Sequence, residues 1–166
     1  MPKIDPIRPT DAEARALARA LIAGASHAAL AVLDPASGRP TISRIAFGTA
    51  PDGTPLSLIS TLAQHTTALR ANPACALLLG EPGPKGDPLT HPRLSLNATA
   101  VFVAPDDPAR PRIRAHYLDS HPKAKLYVDF ADFAFVLFTP DSALLNGGFG
   151  QAFKLTADDL LPPPPK

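Results

Sequence analysis

One arginine and a short run of hydroxyl-bearing residues are the groups in this sequence best suited to holding an anion. Arg44 carries a permanent charge and a planar fork of donors that matches a phosphate or a carboxylate. Ser60, Thr61 and Thr66 bring hydroxyls to the stretch Leu58-Ile59-Ser60-Thr61-Leu62-Ala63-Gln64-His65-Thr66, where a predicted strand gives way to a predicted helix. The free N–H groups and positive dipole end of a helix start favour a negative group. Gln64 and His65 add an amide and an imidazole to the same turn. Two plainer readings stand beside this one. Ser60 and Thr61 can be capping residues and nothing more, and a lone strand arginine commonly pairs with a surface carboxylate.

Five histidines, at positions 27, 65, 91, 116 and 121, show no His-Glu-x-x-His or similar ligand spacing, so no protein-held metal is expected. His65 lies inside the anion-binding stretch, whereas His121, before Pro122, reads as a helix-terminating residue. Cys75 is the single cysteine. It excludes an internal disulfide, argues against a cysteine zinc site, and sits in an apolar strand as a small filler. Gly147-Gly148-Phe149-Gly150 is either a plain turn or a place where glycines let a flat ligand approach the backbone. No residue stands out as an acid or a base.

The elements that must position these groups are short. Thr10-Asp11-Ala12-Glu13 has the form of a capping box, predicting a helix over 11–23 that ends near Gly24. Strands are predicted over 28–33 and 41–48, joined by Asp34-Pro35-Ala36-Ser37-Gly38, and over 56–60. A helix over 63–71 is stopped by Asn72-Pro73, and strands follow at 74–79 and 93–103. A helical excursion opens at Asp106-Asp107-Pro108 and a second short helix covers 124–127. The last two strands are 133–139 and 142–146, joined by Pro140-Asp141. About seven strands with peripheral helices make a mainly β, antiparallel Greek-key barrel that is partly open.

At 166 residues with a formal charge of +1, the chain supports one core and one domain (1–166, core about 10–153), with 156–166 as a tail. Its scattered basic residues make no field for nucleic acid or an anionic membrane. No run approaches the length of a membrane span, and Asp5, Arg8 and Asp11 interrupt any secretory signal. A cytoplasmic protein is the expectation.

Beyond strand order, Ser43-Arg44-Ile45-Ala46-Phe47, the stretch from Leu58 to Thr66, Asp87-Pro88-Leu89 with Pro92-Arg93-Leu94, Tyr117-Leu118 with His121-Pro122, Asp132-Phe133 and Gly147-Gly148-Phe149-Gly150 together resemble the FMN-binding split-barrel proteins related to pyridoxamine 5'-phosphate oxidase, in the branch that includes haem-utilisation proteins. The resemblance covers roughly 10–153. It implies FMN at the interface of a homodimer. Arg44, Ser60, Thr61, Gln64, His65 and Thr66 would serve the phosphate, and the backbone of Arg44, Ile45 and Ala46 would run along the isoalloxazine edge. Asn146, Gly147 and Gly148 would lie beside the partner's flavin, and the dimer contact would include 93–103.

The chain also departs from that pattern. Pyridoxamine 5'-phosphate oxidases usually place a lysine where this sequence has Gln64-His65-Thr66-Thr67, and Ala68 stands where many relatives show a polar residue. The arginine- and histidine-bearing end that grips their substrate is missing, which argues against that activity. Haem-utilisation relatives often carry a C-terminal haem-ligating histidine, and none follows His121 here, which argues against a haem oxygenase. The leading expectation is an FMN-dependent oxidoreductase of unknown substrate, its redox chemistry supplied by the cofactor. The alternative is a non-catalytic flavin or haem binding protein.

Overall fold

The computed structural model describes residues 5–163; Pro164, Pro165 and Lys166 of the expected tail lie outside them. Among the described residues the strands are β1 (Ile7–Arg8), β2 (His27–Leu33), β3 (Pro40–Ala46), β4 (Gly48–Thr49), β5 (Pro55–Ser60), β6 (Ala74–Leu79), β7 (Arg93–Phe102), β8 (Phe133–Asn146) and β9 (Ala152–Thr156). The helices are α1 (Ala12–Gly24), α2 (Gln64–Ala71), α3 (Arg110–Ser120) and α4 (Ala157–Leu160), with short 3-10 segments at Pro88–Thr90 and Pro122–Leu126. One sheet runs β1-β9-β8-β7-β6-β2-β3, and β5 joins it by pairing with β8 and β4. Except for the short parallel β1–β9 contact, the ladders are antiparallel. The architecture is the expected split barrel, and the sheet stays open because β3 finds no ladder partner beyond β2.

The split is made by β8. From Val136 to Asn146 it pairs with β7, while its other edge serves β5 from Phe133 to Leu137 and β9 from Ser142 to Asn146. Proline and aspartate at 140–141 predict a break between two strands; the structure has one continuous strand. Proline has no N–H to donate, and the ladder absorbs this with a bulge in which Ala98 faces Pro140, Asn97 faces Ser142, and Asp141 has no opposite residue.

Alternation along the strands sorts side chains to two faces. Ala28, Leu30 and Val32 of β2, Leu77 and Leu79 of β6, and Leu94, Leu96, Ala98 and Ala100 of β7 point into one core. Ala14, Ala18 and Ile22 of α1 fill it from one end. A second, smaller core joins Leu56 and Leu58 of β5 and Phe135 of β8 to Ile113 and Tyr117 of α3. There Tyr117 stacks face to face on His121 at 4.3 Å, so His121 is structural, as its place before Pro122 suggests.

Three local expectations need correction. Asp11, and not Thr10, caps α1, accepting the Ala14 N–H at 2.8 Å, while the Thr10 hydroxyl donates to the Lys154 carbonyl. A carboxylate one residue closer to the first turn can make the same capping bond. The helix expected from Asp106 begins only at Arg110, because Asp107 accepts the Ala109 N–H in a turn of its own. The segment expected as a tail from 156 continues the fold: β9 reaches Thr156, α4 follows, and Leu155 and Leu160 are buried. A reciprocal capping box between Thr156 and Asp159 starts α4, and Arg15 of α1 reaches Asp159 at 2.6 Å.

Leu160→Ala should therefore cost about 2 to 3 kcal/mol in urea unfolding; a loss within error of zero would make the segment a tail after all. Asp159 is held below its ordinary value first by the Thr156 N–H and then by Arg15. The stability it confers is complete above the usual carboxylate range near pH 4 and is lost as the pH falls through its lower folded value. Asp159→Asn should flatten the acid limb of Tm against pH.

Candidate functional site

The predicted anion-binding residues are not gathered into one cradle within a protomer. On β3, Ile45 is buried beside Ala28, and Ser43 lies on the same inner face, opposite Leu30. Arg44, between them, points to the outer face opposite Ala29 and is exposed. The Ser43 hydroxyl meets His65 Nδ1 at 3.0 Å, pinning the start of α2 to the inner side of β3. Arg44 and His65 are thus separated by the sheet itself.

Burial pushes the His65 imidazole below its ordinary value, so the ring is neutral at physiological pH. Its Nε2 is buried without a partner, a cost the Ser43 contact only partly offsets.

Thr66 is 1% exposed and donates its hydroxyl to the Ser60 carbonyl at 2.6 Å. That donor is taken up inside the turn. The Ser60 hydroxyl accepts the Leu62 N–H in a local turn. The N-cap of α2 is Ala63, with no side-chain cap, so neither Ser60 nor Thr61 caps the helix. Gln64 is turned toward the β2–β3 hairpin, where Asp34 is held below its ordinary value chiefly by the Ser37 hydroxyl and least by the Gln64 amide. Thr61 lies apart from these, on the rim of a cavity that also contains Arg70 and Arg110.

Asn146, Gly147 and Gly148 form the β8–β9 hairpin, where Asn146 Oδ1 accepts the Gly148 N–H and Gly147 donates to Gln151. Gly148 has φ +126 and a Cβ there would stand 3.2 Å from the Thr90 carbonyl, so glycine is required by conformation and by the loop packed on it.

What the structure does assemble around Arg44 is a surface. The registers place Arg44, Ala29, Leu78, Ser95, Leu144 and Lys154 in one row across β3, β2, β6, β7, β8 and β9. The next row begins Ile42, Ala31 and Ala76. Ile42 is 74% exposed, Leu78 49%, Leu144 45% and Leu33 42%. This is a contiguous, mostly apolar sheet face with a cation at either end, and sequence reasoning missed it. Alternation in 28–33 and 74–79 is masked because both faces carry alanine and leucine.

The residues can be tested against the two candidate groups. A phosphate dianion needs several donors converging on one point, and here Arg44, the spent Thr66 and the turned-in Ser60 diverge. A flat, apolar, acid-bearing ring such as haem asks for apolar walls on both sides and a cation for its acid groups; the Arg44 face offers one such wall and the guanidinium, and a second wall would come from another protomer.

Among proteins of known function, the chain is 39% identical over 118 residues to "Non-canonical heme oxygenase HOZ, chloroplastic" of Arabidopsis thaliana, covering 70% of this chain but only 34% of that one; the chain thus spans about a third of that relative's length. It is 29% identical over 137 residues to "Heme oxygenase HutZ" of Vibrio cholerae, covering 80% of this chain and 75% of the other. Among solved structures, a heme binding protein from Mycobacterium smegmatis superposes with a TM-score of 0.79 at 27% identity, over 93% of this chain and 61% of that one. The family model described as pyridoxamine 5'-phosphate oxidase matches residues 14–146. With four-fifths of its length matched and the split barrel formed as that match requires, this chain belongs to the pyridoxamine 5'-phosphate oxidase family.

Proposed function

We propose that this chain is a haem-binding member of its family, working as a homodimer that takes haem against the outer sheet face bearing Arg44. The observation that carries the reading is that face: an apolar strip of Ala29, Ala31, Ile42 and Leu78, open to solvent, with Arg44 at its edge. Burying exposed leucine and isoleucine against a macrocycle or a second protomer stabilises by about 25 cal/mol per Å² of apolar area. The Arg44 fork suits a propionate as well as it suits a phosphate. Haem-related relatives support this reading over the FMN-dependent oxidoreductase expected from the resemblance. Arg44 stays in the site through its side chain, whereas Ile45 faces the inner core and, with Ala46, would offer a ligand only its backbone. Ser43 and His65 hold α2 against β3 behind it.

When bound, haem would supply the redox chemistry; the protein's own residues would bind and orient it and keep water from one of its faces. Whether the complex only carries haem or also degrades it is read from the Soret band after adding an electron donor and oxygen. No helix among the described residues is long and apolar enough to cross a membrane.

Three outcomes test the reading. Titration with ferric haem should give a saturable Soret band, and Arg44→Ala should weaken binding about ten- to a hundredfold, the usual range for a hydrogen bond to a charged group. Tight binding of FMN with none of haem would return the assignment to a flavin oxidoreductase. Light scattering should show a dimer at micromolar concentration, and Leu78→Glu should shift it toward monomer by placing a charge in the apolar strip; a monomeric parent protein would remove the interface.

His65 gives a separate check. Its folded pKa lies below its unfolded one, so nothing is lost above about pH 6.5, and stability falls as the pH drops from there toward the lower folded value. His65→Gln should abolish that slope in Tm while leaving neutral-pH haem affinity within a fewfold.

A further inference from the structure

Two opposite charges share one small cavity without meeting. The cavity, of about 370 Å³, lies between the β4–β5 turn and one side of α3, and its size is that of a small-ligand site. Ala109, Arg112 and Ile113 line it at the spacing of one helix face, and Pro51, Asp52 and Leu137 stand across from them with Ala50. Ala50 and Ile113 are buried, whereas Arg112 and Asp52 are exposed. The result is an apolar floor with a cation on one wall and a carboxylate on the other. None of these residues belongs to the Arg44 face.

Asp52 is fixed by its turn. The Ala50 N–H donates to the Thr54 carbonyl at 2.8 Å and the Gly53 N–H to the Ala50 carbonyl at 2.9 Å, and Asp52 Oδ1 accepts the Thr54 N–H at 3.0 Å. Gly53 has φ +88, and a Cβ there would stand 2.8 Å from the Pro162 ring, so the segment after α4 buttresses the turn. Oδ2 of Asp52 has no partner among the described residues. Arg112 likewise makes no ion pair among them, with Asp52 or with any other carboxylate. An arginine and an aspartate within reach of each other close into a charge-assisted pair. Held apart on α3 and the turn, these two leave both charges available to one ligand that carries both signs.

We propose that this cavity binds a free apolar α-amino acid in its zwitterionic form. The Arg112 guanidinium takes the carboxylate, Asp52 takes the ammonium, and a branched apolar side chain rests on Ile113, Leu137 and Pro51. A ligand with only one of the two charges leaves the other protein group unmatched, which sets the selectivity. The proposal does not rest on the haem reading.

L-Leucine is the probe, titrated calorimetrically into the full chain with no haem or flavin added. It should bind saturably. N-Acetylleucine lacks the ammonium and leucinamide the carboxylate; each should bind about tenfold more weakly, the low end for a hydrogen bond to a charged group because both partners are exposed. Serine should be weaker for want of the apolar side chain. Arg112→Gln and Asp52→Asn should each weaken leucine by a similar factor. Both positions are exposed, and asparagine keeps an acceptor for the Thr54 N–H, so neither change threatens the fold. The sharper readout is the cross-comparison: in Arg112→Gln leucine and leucinamide should bind alike, and in Asp52→Asn leucine and N-acetylleucine should bind alike, because the group that reads the missing charge is gone. A cleft that is merely apolar predicts that both analogues match leucine on the parent protein. That result, no saturable leucine binding up to about 10 mM, or variants that keep the parent's discrimination overturns the proposal.

Discussion

The ladder of β8 against β7 is the constraint on which the rest of the molecule depends. A strand of 14 residues pairs on one edge with β7 from Val136 to Asn146 and divides its other edge between β5 and β9. That division creates two cores: one under the main sheet, filled by α1, and one beneath β5, filled by α3. The bulge at Pro140 lets a proline stand in an interior strand without leaving a ladder acceptor idle on both sides. Without it the strand would end at Thr139, and β9 and α4 would lose the edge they dock on.

The second consequence of the ladder is a sheet with one face filled and one face open. The inner face is occupied by α1 and α2. The outer face keeps Ile42, Leu78 and Leu144 in water, a patch of the kind that marks an interaction surface on a soluble domain. Because β3 alternates, Ser43 and Arg44 report to different faces. The hydroxyl becomes part of the scaffold through His65, and the guanidinium becomes part of the surface. A neutral, buried imidazole with one idle nitrogen is a modest strain that this scaffold carries.

Two arginine environments illustrate how context sets the role of one side chain. Arg114 is spent on Asp129, an exposed pair worth little on its own. Arg110, on the wall of the neighbouring cavity, acts on the same carboxylate only through space. Arg70 instead places its guanidinium carbon 4.1 Å from the Phe102 ring centroid.

The sequence by itself determined most of the order of elements from α1 to β7, the antiparallel split barrel and the family, because turn chemistry at Asp34–Gly38, Asn72-Pro73 and Gly147–Gly150 is local and punctuates short strands. It also singled out Arg44 as an anion ligand, and the structure places that side chain on the exposed outer face. It misread the stretch from 152 onward, where strand and helix are held by distant partners, the edge of β8 and Arg15 of α1, more than by local pattern. It grouped Arg44 with Ser60, Thr61 and Thr66 because they share a motif. Only the tertiary structure decided which way each points: a strand reverses its side chains at every residue, and the inward turn of Thr66 depends on a carbonyl six positions away. The apolar outer face and the Arg70–Arg110 cavity were invisible for the same reason, since each is assembled from strands and loops far apart in the chain and exists only once the ladders fix their register.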